Sequence, residues 1–101
     1  MRRVIFVDDE PAVLSALRRV LRRTAGDWTV SFVGSGAEAF AAIEREPFDV
    51  VVSDCMMPGM DGGELVERVR RLRPGMVRIL LTGNAPVETM MRAESMAHRL
   101  L

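Results

Sequence analysis

The stretch Phe48–Gly62, FDVVVSDCMMPGMDG, constrains this chain more than any other. Val50, Val51 and Val52 form a run too β-branched and too short for a comfortable helix, so it reads as a strand buried on both faces. The run ends at Asp54, and the turn cluster Met57, Pro58, Gly59, Met60 follows. Asp61 with Glu64 three residues later is a capping-box-like start to the next helix. A single carboxylate, Asp54, is therefore delivered to the mouth of a sheet.

The remaining segments alternate between strand-like and helix-like patterns, with no repeat, linker or low-complexity tract. Val4–Val7 is a compact apolar strand that stops at Asp8, Asp9 and Glu10. Pro11 then occupies a position that the first turn of a helix tolerates. Val13, Leu14, Leu17, Val20 and Leu21 recur at helical spacing opposite Arg18, Arg19, Arg22 and Arg23, which predicts one amphipathic helix closed near Gly26. Trp28–Val33 reads as a second strand. Ser35 and Glu38 form an S-x-x-E capping box opening a helix through Ile43, which must stop before Pro47. Beyond the central loop, Leu65, Val66, Val69 and Leu72 mark a third helix ended by Pro74 and Gly75. Val77–Leu81 is a fourth strand ending in Thr82 and Gly83, and Pro86 starts a fourth helix through Met90, Met91 and Ala97.

Four βα units in succession predict an α/β fold: a doubly wound parallel sheet with helices on both faces and right-handed crossovers. With 101 residues, 49% of them hydrophobic, the chain has room for one domain and one small core. Fourteen acidic residues balance fourteen basic ones, so no net field draws it to nucleic acid or to an anionic membrane. The single cysteine, Cys55, forms no internal disulfide, and there is no N-terminal signal pattern or long apolar span; the cytoplasm is the expected location.

In doubly wound sheets ligands bind beyond the carboxyl ends of the strands. Asp8, Asp9, Asp54 and Thr82 all fall there. Three carboxylates from two strands share a site only if a cation offsets their repulsion. Oxygen-only ligands, with no histidine nearby, point to a hard cation, Mg²⁺, that retains several waters. Taken singly, Asp8, Asp9 and Asp61 also suit plain helix caps. The joint position of Asp8, Asp9 and Asp54 argues for a metal beside a carboxylate, which suits phosphoryl chemistry.

Those residues resemble the receiver domains of two-component response regulators. The likeness lies in VDDEP (Val7–Pro11), VVSDCMMPGMDG (Val51–Gly62) and LLTG (Leu80–Gly83), in that order and spacing, and extends over residues 1–101. It implies a flavodoxin-like fold with strand order 2-1-3-4-5. It further implies that Asp54 accepts a phosphoryl group from a sensor histidine kinase or phosphotransfer protein. By the same resemblance Asp9, Asp54 and the main-chain carbonyl of Met56 ligate Mg²⁺, and Asp8 acts through water. Thr82 contacts the phosphate, while Gly83 keeps the site open. Such a module is a phosphoacceptor and not an enzyme, beyond slow self-dephosphorylation.

The departure from the family pattern is at the C-terminal end. All fourteen basic residues are arginine, so the family's fifth-strand lysine has no counterpart, and most of strand 5 and helix 5 is expected to be lacking. A sheet of four strands would leave Val77–Leu81 on an edge, which predicts self-association by edge pairing or by exchange of the C-terminal helix. Cys55 reads as a small packing residue turned away from Asp54, and His98 as structural or solvent-facing. Methionines 56, 57, 60, 90, 91 and 96 read as core filler and a loop ridge, the alternative being the lining of a partner surface. Two other functions fit the same residues: a receiver-like interaction module independent of phosphate, and a Mg²⁺-dependent phosphohydrolase. The second lacks the D-x-D pair of such hydrolases, because Met56 stands two residues after Asp54.

Overall fold

The computed structural model describes residues 2–24, 26, 28–81 and 99–100. In chain order the elements are β1 (Arg2–Val7), α1 (Pro11–Thr24), β2 (Trp28–Val33), α2 (Gly36–Arg45), β3 (Val50–Asp54), α3 (Gly62–Leu72), β4 (Val77–Leu81) and β5 (Arg99–Leu100). The strands form one sheet in the order β2-β1-β3-β4-β5, and every neighbouring pair is parallel. This is the doubly wound α/β architecture that the alternating pattern predicts.

The helices start where local chemistry provides a cap. Ser35 accepts from the Glu38 N–H at 3.1 Å, and Glu38 returns a carboxylate oxygen to the Gly34 N–H. Asp61 accepts from the Glu64 N–H at 2.8 Å, but Glu64 turns along its helix to Arg68 instead of reaching back. At α1 the Glu10 carbonyl accepts from the N–H groups of Val13 and Leu14.

Alternation along the strands divides the side chains between two faces. On one face Ile5, Val51 and Leu80 are wholly buried beneath Ile43 of α2 and Leu65, Val66 and Val69 of α3. Each such side chain contributes roughly 1.5–3 kcal/mol of apolar burial. On the other face α1 stands over the edge strand, with its Arg18 guanidinium 4.9 Å from the Phe32 ring, and Phe32 stacks on Phe6 at 5.6 Å.

Coverage of that second face is incomplete, and this corrects several expectations. Val50 and Val52 are only half-buried, so β3 is sealed on one face and not on both. Val13 and Val20 of α1 are 40% and 61% exposed, so the apolar stripe of that helix is not wholly covered. Leu72, at the last turn of α3, is also exposed. At the other side of the sheet β5 pairs with β4 at Ile79 and Leu80, so β4 is not the bare edge that a four-stranded sheet would have. Leu80 is fully buried there. The predicted helix from Pro86, with Met90, Met91 and Met96, and His98 lie outside the described residues, as do Thr82 and Gly83. Among the described residues no helix is long and apolar enough to cross a membrane.

Candidate functional site

Register alone brings the acidic residues together. β1 and β3 are parallel neighbours with Val7 opposite Ser53, so the residues that follow, Asp8 and Asp54, leave the sheet side by side. Asp8, Asp9 and Asp54 each offer a carboxylate oxygen, and these oxygens lie within 4.8 Å of one another. Asp8 is buried, Asp54 half-buried and Asp9 exposed, so the cluster opens to solvent on the Asp9 side. The β1–α1 turn is fixed by two bonds of Asp8: its N–H donates to the Val33 carbonyl at 3.2 Å, and its Oδ1 accepts from the Glu10 N–H at 2.9 Å.

The loop after Asp54 is held as closely. The Ser53 hydroxyl donates to the Asp54 carbonyl at 2.9 Å, the Cys55 N–H to Leu81 and the Gly62 N–H to Cys55. Gly59 turns the loop with φ 72°, a conformation that costs a side-chain-bearing residue energy. Gly62 is required for a different reason. A Cβ there would stand 2.3 Å from the Asp54 carbonyl oxygen and 2.7 Å from Leu80, so the helix can start against the site only without a side chain. Sequence reasoning took Gly62 as the end of the loop motif and overlooked Ser53, whose hydroxyl is legible as a clamp only once its neighbours are placed.

Burial, and then the adjacent Asp8 carboxylate, push the Asp54 carboxyl up from its ordinary value. The Met56 and Cys55 N–H groups pull it down, and Asp9 adds a smaller upward push. Three carboxylates this close repel one another unless a cation joins them, and an all-oxygen donor set suits a hard divalent ion. Among the other candidates, Cys55 is wholly buried, which fits a packing role, and Met57 is buried in the core. Met56 is 46% exposed, its side chain turned out from the loop whose N–H faces Asp54.

The description "Response regulator receiver domain" matches residues 4–99. The chain belongs to the response regulator receiver family. This receiver is 38% identical over 85 residues to the probable transcriptional regulatory protein TcrX of Mycobacterium tuberculosis, a match that takes 84% of the chain and 36% of TcrX. It is 37% identical over 84 residues to the transcriptional regulatory protein GlrR of Escherichia coli, covering 83% of the chain and 18% of GlrR. The chain thus spans about a third or less of these relatives' length. Among solved structures, the CheY-like receiver domain protein of Methanospirillum hungatei superposes with a TM-score of 0.89 at 31% identity, over 100% of this chain and 80% of that one. The match covers the signal module of the relatives, a part that in this family is generally not an enzyme.

Proposed function

We propose that this receiver is a phosphoacceptor: Asp54 takes a phosphoryl group from the phosphohistidine of a sensor histidine kinase or of a phosphotransfer protein. The observation that carries the reading is the convergence of Asp8, Asp9 and Asp54 at the carboxyl ends of two adjacent strands. Asp9, Asp54 and the Met56 carbonyl would hold Mg²⁺, with Asp8 acting through water. When bound, the ion would neutralise charge on the phosphoryl oxygens and fix the direction of attack.

The chain's own residues do the rest. An Asp54 carboxylate oxygen attacks phosphorus, the phosphorus–nitrogen bond to the donor histidine breaks, and its electron pair stays with the imidazole; the product is an acyl phosphate on Asp54. The clamped carbonyl of Asp54 and the tight start of α3 keep that carboxylate at one place, so little reorganisation is needed on attack. The Thr82 hydroxyl donates to the new phosphate, and Gly83 leaves room for it. The setting for this exchange is the cytoplasm, where sensor kinases present their phosphohistidine.

Acetyl phosphate with Mg²⁺, followed by intact-mass spectrometry, tests the reading. The expected product is one phosphoryl mass per chain, lost in Asp54→Asn and formed at least tenfold more slowly in Asp9→Ala. Steady turnover of the donor would favour a phosphohydrolase. No adduct on the folded protein would favour an interaction module independent of phosphate.

A further inference from the structure

The edge strand β2 carries an unusual neighbour. It ends the sheet at one side, paired only with β1, and its sequence WTVSFV holds no charge, proline or glycine. Natural edge strands are commonly blunted by such residues, and an unblunted edge is a place where another strand adds. Beside it runs α1, whose C-terminal half carries Arg18, Arg19, Arg22 and Arg23, while the whole helix has no acidic residue. On α3 the comparable arginines are compensated, Arg68 by Glu64 at 3.1 Å and Arg71 by Glu67 at 2.8 Å. No ion pair holds Arg18, Arg19 or Arg22 among the described residues. Like charges at i,i+4 destabilise a helix, so this patch lowers stability unless an anion meets it.

The two features meet in one cleft of about 340 Å³, lined by Arg18, Leu21, Arg22, Trp28, Val30 and Phe32. From this geometry we infer that β2 and α1 form a docking site for an extended acidic segment of another polypeptide, which adds as a strand beside β2 and gives alternate carboxylates to Arg18 and Arg22. The spacings agree: residues four apart on a helix are separated by about 6 Å along its axis, and alternate residues of a strand by about 6.6 Å. The segment is therefore a Glu-x-Glu pattern in which the glutamate stems lie along Val30, their carboxylates meet the guanidinium groups, of which that of Arg18 already stands over the Phe32 ring, and x is β-branched. A second copy of this chain is a poorer occupant. Antiparallel pairing of two β2 edges would set both α1 helices on the same face with their arginines together. The inference is independent of phosphoryl transfer, since the cleft uses none of the clustered aspartates and lies on the edge strand β2, with β1 between it and β3.

The chain's single tryptophan, Trp28, lies in the cleft and reports directly on it. The test titrates the 101-residue protein with a synthetic peptide alternating Glu with Val or Thr, following Trp28 fluorescence and the amide shifts of Val30–Val33. Saturable binding with shifts along those residues is expected. A Lys-for-Glu twin and a peptide N-methylated on alternate backbone nitrogens should each bind at least tenfold more weakly. Charge reversal in Arg18→Glu/Arg22→Glu should exchange the preference between the Glu and Lys peptides, and Arg18→Gln/Arg22→Gln serves if the reversal does not fold. The proposal is overturned if the Glu peptide does not bind, if the N-methylated peptide binds equally, or if the arginine variants bind unchanged. It is overturned equally if a single-stranded oligonucleotide or vesicles of anionic phospholipid compete as well as the peptide, since the patch then attracts any polyanion.

Discussion

The two faces of the sheet are built from the same strands yet do different work. Beneath α2 and α3 the contacts are closed: Ile5, Ile43, Val51, Leu65, Val66 and Val69 have no exposed surface. Beneath α1 the floor is apolar but only partly roofed, with Phe6, Val30, Val50 and Ile79 half-buried and Val77 41% exposed. Asp8 and Asp54 alternate onto the second face, at its upper rim. The closed face thus sets where the strands sit, and the open one leaves the carboxylates and the arginine-lined edge at the surface.

If that division is right, truncations of similar size on the two faces should differ greatly. Leu65→Ala removes a fully buried side chain from the closed face and should cost roughly 2–5 kcal/mol, much of the stability of a domain this small. Val20→Ala, at 61% exposure on the other side, should change stability by less than about 0.5 kcal/mol. Urea denaturation of both variants gives the contrast, and comparable losses would mean that α1 is packed as firmly as α3.

Gly62→Ala probes the junction between the closed face and the site. The added Cβ meets the Asp54 carbonyl and Leu80, and overpacking of this kind costs about 1–3 kcal/mol. The loop carrying Asp54 must also shift, so acyl phosphate formation should slow by about tenfold or more even at temperatures where the variant stays folded. Normal phosphorylation in a destabilised variant would separate the two roles and leave Gly62 a packing residue only.

Sequence patterns reveal what is local and conceal what depends on a distant partner. The bounds of β2 and β4, the caps at Ser35 and Asp61, and the delivery of Asp8, Asp9 and Asp54 to the same end of the sheet follow from short-range patterns. Whether a second layer covers Val50 and Val52 does not, since a run of three valines looks the same under one helix or two. Arg78 makes the same point. It lies within an apolar strand, yet it is buried, with its guanidinium donating to the carbonyls of Pro74 and Met76. Burial there pulls its pKa down, with Arg70 as a second cause. The need for glycine at position 62 is likewise invisible until the Asp54 carbonyl is set against it.

A smaller effect is expected from the Asp54 carboxyl itself. Because the folded-state pKa of Asp54 is raised, its ionised form is disfavoured in the fold relative to the unfolded chain. That cost is present above the raised pKa and fades as pH falls through it. Asp54→Asn removes the charge, so without Mg²⁺ at neutral pH it should melt higher than the parent, by a margin that solvent screening of the half-buried group keeps small, with the difference vanishing in acid. Saturating Mg²⁺ should stabilise the parent more than the variant and close the gap. A variant that melts lower at neutral pH in EDTA would mean that the carboxylate cluster is already compensated by the protein.

The smallest effect belongs to the opposite end of the strands. There the Arg3 guanidinium donates to Glu46 at 2.7 Å and stands 4.6 Å from the Phe48 ring. The hydrogen bond from Arg3, and next its charge, lower the Glu46 pKa from the ordinary glutamate value. A lowered folded-state pKa stabilises the fold above the unfolded value, and that contribution is lost as pH falls through the folded one. The pair is well exposed and screened by solvent, so its effect on the melting temperature should be shallow and should shrink with added salt. Comparison of the parent with Glu46→Gln from neutral pH into the acid range isolates it: the parent should lose a small margin over the variant as Glu46 protonates. No convergence of the two curves in acid would mean that Arg3 is held by Phe48 and by the Pro47 carbonyl, which also accepts from it, and that the ion pair adds nothing at this end of the strands.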